Sequence, residues 1–349
     1  MPAANVKWNL PLNRLNPWYP GQMGVEGGWT ETGLRQHCTG AIFYVDPNYP
    51  GTSDQRDGTD PNDPLTTVAA ALTKVQPQRG DVIAVMANDA WQYAPGGQGA
   101  STDYVTAIAE EVTIPMTASG VRIVGISNSA LGVTWEQTTD NGICITVNAV
   151  DVIIEGFAFT AGTFAGGEGI SSTWAGGAGG TLFGENLTVR NCVFMDDLDI
   201  GIHFDYSWYC NIHDNVFWQV DEYGIYSDSG GGAPTEDSPD YILIHNNVFH
   251  NVPSEGVGAA IWVPELSGGQ IFNNSFYNAT AQSAAAATDE GIVTNDGTVT
   301  GLQNMVWCNT FSCQNTAAAA GDYGDLNGGS ATDCWTQSFC MNGLAYGVP

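Results

Sequence analysis

The sequence predicts an all-β chain, a parallel β-helix solenoid with an N-terminal capping helix and an irregular N-terminal arm. Three observations carry this. A six-residue pattern recurs as IEGFAF at 154, VRNCVF at 189, IHDNVF at 212, IHNNVF at 244, IFNNSF at 271 and VWCNTF at 306, with starts 35, 23, 32, 27 and 35 residues apart. A second alternating stretch follows inside the coils: Gly201-Ile-His-Phe, Gly224-Ile-Tyr-Ser, and Gly256 ahead of Ala260-Ile-Trp-Val. Upstream of both lies one short segment of helical spacing, suited to close the open end of a solenoid. A variable period around an unvarying core is the mark of coils whose loops differ in length on one face.

Residues 1–40 hold Pro11, Pro17, Pro20, Trp8, Trp18 and Trp29 with little periodicity and read as an arm, a docking segment without a core of its own. From 41 the chain runs through a strand at Ile42–Val45 and the acidic turn DQRDGTDPND at 54–63. A helix near 65–75 follows, apolar at Val68, Ala71, Leu72 and Val75, and then a strand at Val82–Met86. The acid density of that turn invites a Ca²⁺ loop, but the twelfth-position Glu of such a loop is missing, so a plain turn is expected. The β-helix is expected over 41–315 and a C-terminal cap over 316–349. In the repeats the sixth position is always Phe (Phe159, Phe194, Phe217, Phe249, Phe276, Phe311), and the fourth is Asn at Asn215, Asn247, Asn274 and Asn309. These read as structural ladders, stacked Phe filling the interior and Asn bonding the backbone of the next coil, because a functional site does not need one copy per coil. Neighbouring coils are expected about 4.8 Å apart. Four of the eight cysteines (38, 144, 192, 210, 308, 313, 334, 340) crowd the last 42 residues, which leaves open a disulfide-stapled cap or buried thiols; no CxxC spacing suggests a zinc ribbon.

The segment YVDP…DGTDPNDPLTTVAAAL…RGDVIAV, followed by coils of the NNVF type, resembles the right-handed parallel β-helix superfamily, the pectate-lyase-like proteins, over about residues 41–315. The resemblance implies polysaccharide lyases, glycoside hydrolases, phage tailspikes and other virion surface proteins as relatives. Fold does not choose among them. For a lyase it implies a basic general base, yet only Arg190 lies near the repeats. For a galacturonase it implies four motif elements, of which Asp196-Asp197 alone is present.

Charge narrows the partners. Charged residues make up 13% of the chain, with 37 Asp+Glu against 8 Lys+Arg and a net charge of −29. From Asn191 to Pro349 there is no Lys or Arg and there are 19 acids. Nucleic acid and anionic membranes are excluded as partners, since phosphate is held by Lys and Arg. No run approaches the ~18 apolar residues of a membrane span. The first 20 residues show no signal-peptide pattern. The sequons at Asn186, Asn273 and Asn278 matter only in a eukaryotic secretory setting.

One wall of the predicted coils concentrates chemistry. Aligned on the glycine of the second stretch, Asp199, Glu222 and Glu255 form a carboxylate column, with Glu290 as a continuation; His203, Tyr226 and Trp262 form an outward aromatic column; Asp205 and Asp228 follow on the same face. Three readings compete. Paired carboxylates among these five acids are candidates to hydrolyse a neutral glycan stacked on His203, Tyr226 and Trp262. Asp199, Glu222 and Glu255 are alternatively Ca²⁺ ligands. The bland reading is a solvated acidic face that keeps the solenoid soluble. His213 and His245 stack at an outward position and read as surface polar residues rather than a metal site. Lacking a recognisable catalytic set, the sequence favours a non-catalytic virion surface protein, a capsid decoration protein or short spike. On that reading it is assembled as a homotrimer on capsid or tail proteins, and a cell-surface glycan is a further partner. The alternative is an extracellular polysaccharide-active enzyme, a glycoside hydrolase rather than a lyase.

Overall fold

In the computed structural model, residues 38–49, 51–86, 108–126, 133–172, 184–195, 197–204, 207–227, 239–254, 258–264, 266–277, 289–293, 304–312, 334–336, 338–340 and 345–346 are described. The expected docking arm lies outside them except for its last three residues. The described strands form three sheets wound in turn. Sheet A has ten strands from Ile42–Val45 to Cys334–Thr336, sheet B ten from Ile108–Ala109 to Ala345–Tyr346, and sheet C seven from Val112–Ile114 to Asp289–Val293. All neighbours pair in parallel except the last pair of sheet B, Ser338–Cys340 with Ala345–Tyr346. One more coil therefore follows the expected end at 315, since Met305 pairs with Cys334 and Thr310 with Phe339.

Each coil turns from sheet A to sheet B through a two-residue bend. Its first residue takes a left-handed φ (Asn191 53°, Asp214 56°, Asn246 57°, Asn273 55°, Cys308 55°). Its second residue builds the asparagine ladder. Asn215 Nδ2 donates to Asn247 Oδ1 (3.1 Å), Asn247 Nδ2 to Asn274 Oδ1 (3.0 Å), and Asn274 Nδ2 to Asn309 Oδ1 (3.1 Å). Each of these Oδ1 atoms also accepts the backbone N–H of the preceding ladder residue at 3.0 Å. Every polar group of the buried amides is thereby paired, as burial requires. Inside, Phe159, Phe194, Phe217, Phe249 and Phe276 stack at centroid distances of 5.1, 4.9, 4.6 and 4.9 Å. Three of the rings need a glycine of sheet C: a Cβ on Gly169 would stand 2.7 Å from Phe194, one on Gly201 2.8 Å from Phe217, and one on Gly224 2.7 Å from Phe249.

The capping helix is shorter than its apolar spacing suggests. It spans Val68–Leu72. Leu65 has the right spacing to belong, but its backbone is taken by a parallel bridge to Val45 (Leu65 N to Tyr44 O 2.8 Å, Asp46 N to Leu65 O 2.9 Å). Thr67 caps the helix, its hydroxyl accepting from Ala70 N at 3.1 Å. The acidic turn is spent locally. Asp54 accepts from Thr66 N and Thr67 N, Asp57 from Thr59 N, and Asp60 from Asn62 N, while Asp63 pairs with Arg56.

Candidate functional site on the outer face of sheet C

Strand register decides which side chains meet here. Ile200 pairs with Tyr223 and Tyr223 with Ala259; His203 pairs with Tyr226 and Tyr226 with Trp262. The aromatic column His203–Tyr226–Trp262 is thus brought together on successive coils. His203 and Tyr226 meet edge to face at 5.0 Å. Tyr223, one column over, joins them at 4.4 Å from Tyr226 and 6.1 Å from Trp262. Glu168 Oε1 lies 2.8 Å from His203 Nδ1 and holds that imidazole from the coil before. Glu168 and Tyr223 did not emerge from the sequence as site residues. The signal was available in the recurring Gly-Ile, since Glu168 and Tyr223 each directly precede one, at Gly169-Ile170 and Gly224-Ile225.

The carboxylate column is only partly assembled. Asp199 and Glu222 are neighbours, Glu222 N donating to Asp199 O at 3.0 Å. Glu255 is not the third member: Gly258 stands opposite Glu222, because Tyr223 pairs with Ala259. Ser254 N still bonds Val220 O (3.0 Å), so residues 255–257 are inserted where the preceding coil spends Asp221 alone. Glu255, Asp205 and Asp228 themselves lie outside the described residues. In the next coil Asp289 takes the column, opposite Gly258, and Glu290 faces Ala259, one position from where the sequence alignment put it. Among the described residues no group of three or more His, Cys, Asp or Glu is arranged to hold a metal ion. Glu255, the third residue of the expected Ca²⁺ set with Asp199 and Glu222, lies outside the residues so searched.

Where Asp199 and Glu222 meet, the chain makes room. Gly166 and Gly167 adopt φ of +66° and +104°, and a Cβ on Gly166 would stand 2.6 Å from Asp199 Oδ2 and 2.7 Å from Asn141 Oδ1. Only glycine allows both the backbone and the carboxylate to occupy this corner. Glu222 is held above the usual carboxylate range, first by partial burial and then by the negative charges of Asp199 and Asp221.

Elsewhere the chemistry-bearing residues are occupied. Glu155, 1% exposed, accepts from Arg122 Nε (2.8 Å) and Arg190 Nε (2.6 Å), so the partly exposed Arg190, the one cation near the repeats, is tied to a buried carboxylate on sheet A. His213 and His245 stack at 4.9 Å and 2°, and the stack continues through Phe272 (4.8 Å) to Trp307 (4.5 Å). His213 Nδ1 is engaged by Asp214 at 2.6 Å and His245 Nε2 by Asn211 at 3.0 Å, and the rings form a ladder on the outer side of sheet A. Burial pushes the Cys192 and Cys210 thiols up to about 12, far from a reactive thiolate. The side chains of Cys313, Cys334 and Cys340, on which a stapled cap depends, lie outside the described residues.

Three parallel sheets, a buried asparagine ladder and an outward wall of carboxylates and aromatics define a parallel β-helix protein of the right-handed class. The family model described as "Right handed beta helix region" matches residues 119–311, more than half of the chain, and the chain belongs to that family. No curated protein sequence matches it. Among solved structures it is similar to an alginate lyase from Paenibacillus sp. str. FPU-7, with TM-score 0.54 and 15% identity over 78% of this chain and 83% of the other. It is also similar to a GH136 lacto-N-biosidase from Eubacterium ramulus, with TM-score 0.54 and 12% identity over 89% of this chain and 57% of the other. At these identities the likeness shows the shared fold.

Proposed function

We propose that the outer face of sheet C is a glycan-cleaving site and that the protein is a glycoside hydrolase acting on a neutral glycan. The observation that carries this is the Asp199–Glu222 pair on adjacent coils, with the Glu222 carboxyl raised above its ordinary value, in the sheet that carries the rings of Tyr223, Tyr226 and Trp262. Adjacent coils are about 4.8 Å apart, and carboxyl groups that approach to ~5 Å suit a retaining enzyme, whereas inverting ones need a wider gap. In this reading Glu222 donates its proton to the glycosidic oxygen while the Asp199 carboxylate attacks the anomeric carbon. Water, deprotonated by Glu222, then releases the sugar and restores both groups. The aromatic rings supply flat apolar surface for the pyranose faces. A wall with acids and no described Lys or Arg repels uronate polymers, which favours hydrolysis of a neutral chain over elimination on an acidic one. The two solved neighbours named above are carbohydrate-active enzymes, which supports this reading over the virion role expected from the lack of a recognisable catalytic set; capsid or tail partners, a homotrimer and a virion location draw no support from them.

The test is incubation with a panel of neutral oligosaccharides and with uronate polymers. Reducing ends should appear from the neutral panel, with retained anomeric configuration by NMR at early times. Unsaturated uronate products, or no turnover of any neutral glycan, would contradict the proposal.

A further inference from the structure

The chain turns toward sheet A through one position that repeats on seven successive coils: Gln78, Gly120, Asp151, Asn186, Tyr209, Tyr241 and Gly268. The backbone N–H of each of the first six donates to the carbonyl of the residue just before the next member, at 2.7 to 3.0 Å. All seven take a left-handed φ, between 55° and 81°. Gly, Asn and Asp accept that conformation readily, whereas a bulky side chain is strained in it. Tyr209 and Tyr241 nevertheless hold φ of 57° and 55°, with Asn186 on the coil before them and Gly268 on the coil after. Strain kept at two adjacent coils, where the neighbouring coils use residues that avoid it, points to a use for the side chains.

That use is not in the core. The two tyrosines are 57% and 55% exposed, more than any other large hydrophobic residue described. Their rings stack on each other at 5.3 Å and 6°. Tyr241 also leans over Gly268, where a Cβ would stand 2.9 Å from its Cδ1 and Cε1. Tyr209 has its other face toward the coil of Asn186, and among the described residues no further ring stacks on it. The coils on that side are polar at the same position. Gln78 Nε2 donates to Asp151 Oδ2 and Asn186 Nδ2 to Asp151 Oδ1, both at 2.9 Å, in an exposed row. A ladder of amides and a carboxylate thus runs into an aromatic face, at a spacing of about 4.8 Å per coil.

We propose that this corner between sheets C and A is a second glycan-binding site, one that holds a neutral chain without cleaving it. The proposal rests on the glycan reading of sheet C for its ligand class and uses different residues: Asp199 and Glu222 precede the strands Ile200–Phe204 and Tyr223–Tyr226, and the corner follows them. A pyranose lays one apolar face on Tyr209, and its hydroxyls bond the amide of Asn186 and the carboxylate of Asp151. A nucleobase would stack as well, but its phosphates are repelled by a chain of −29, and so is a second copy of that chain.

Native gels cast with starch, laminarin, xyloglucan or galactomannan test this on the full chain, with alginate as the acidic control. At least one neutral polymer should retard the protein and alginate should not. The double variant Tyr209→Asn, Tyr241→Asn should bind that polymer at least tenfold more weakly. Its melting temperature should be no lower than that of the wild type, because Asn suits the left-handed turn, and its kcat on a short neutral oligosaccharide should be unchanged. On the wild type the retarding polymer should protect Tyr209 from nitration by tetranitromethane, read by peptide mass spectrometry, which decides the matter even if the double variant does not fold. Absence of retardation by all four neutral polymers would overturn the proposal, as would retardation unchanged in the double variant or nitration of Tyr209 unchanged by the polymer. Retardation lost in Trp262→Ala but kept in the double variant would place the binding on sheet C and overturn it equally. Tyrosine-dependent retardation without cleavage of any glycan would uphold the corner and contradict the hydrolase reading alone.

Discussion

The A–B bend and the mouth of sheet C are built on the same coils and obey opposite rules. At the bend, Asn215, Asn247, Asn274 and Asn309 repeat one residue, and each satisfies the next. At the mouth, Asp199, Glu222, Gly258 and Asp289 occupy one column with a different residue on each successive coil. Repetition is what a solenoid needs for stability, because every coil has the same interior to fill and the same bend to satisfy. A reacting group is needed once. Departure from the repeat, where a conforming residue would cost nothing, is therefore the mark of the site.

The comparison breaks most visibly if the repeated positions prove dispensable. Phe217→Ala or Phe249→Ala removes a ring stacked on both sides, and chemical denaturation should show a loss of ~3–5 kcal/mol. A loss under ~1 kcal/mol would mean that the ladder is not the core. A smaller cost is expected at the bend. Asn247→Ala strips the acceptor from Asn215 N and the donor from Ile212 O, both buried, for about 2–3 kcal/mol. Near-zero cost there would remove the distinction between repeated and unrepeated positions.

The smallest stability effect belongs to the wall. Glu222→Gln at neutral pH should change stability by less than ~0.5 kcal/mol, as at ordinary surface positions. Its pH dependence has a definite sign. A carboxyl held above its unfolded range contributes stability at acidic pH and loses that contribution as pH rises through its folded value. The wild type should therefore be favoured relative to Glu222→Gln near pH 4, and that advantage should fade toward pH 7; thermal melts across this range, at fixed salt, check the direction. An opposite trend would mean that Glu222 gains rather than loses from its neighbours.

The ladders were legible in the sequence because identity and hydrogen-bonding role recur together. Phe194, Phe217 and Phe249 announce a stack, and Asn215, Asn247 and Asn274 a bend. The left-handed residue before each Asn was hidden because Asn, Asp and Cys all occupy it. The wall was legible only within one coil spacing. His203, Tyr226 and Trp262 align correctly because Gly-Ile or Ala-Ile precedes each of them. Glu255 does not, because Gly256 imitates the register glycine while backbone pairing passes that role to Ala260, which lies beside Gly224. Helix length failed for a related reason: apolar spacing cannot tell that Leu65 has already given its N–H and C=O to a strand.

The most direct test measures activity and stability on one preparation of Glu222→Gln. With a neutral oligosaccharide that the wild type cleaves, the account predicts a loss of at least ~10³-fold in kcat. At neutral pH the melting temperature should stay within about 2 °C of the wild type. Full turnover by an intact, folded Glu222→Gln protein would contradict the claim that the break in the repeat at Asp199 and Glu222 is the active site.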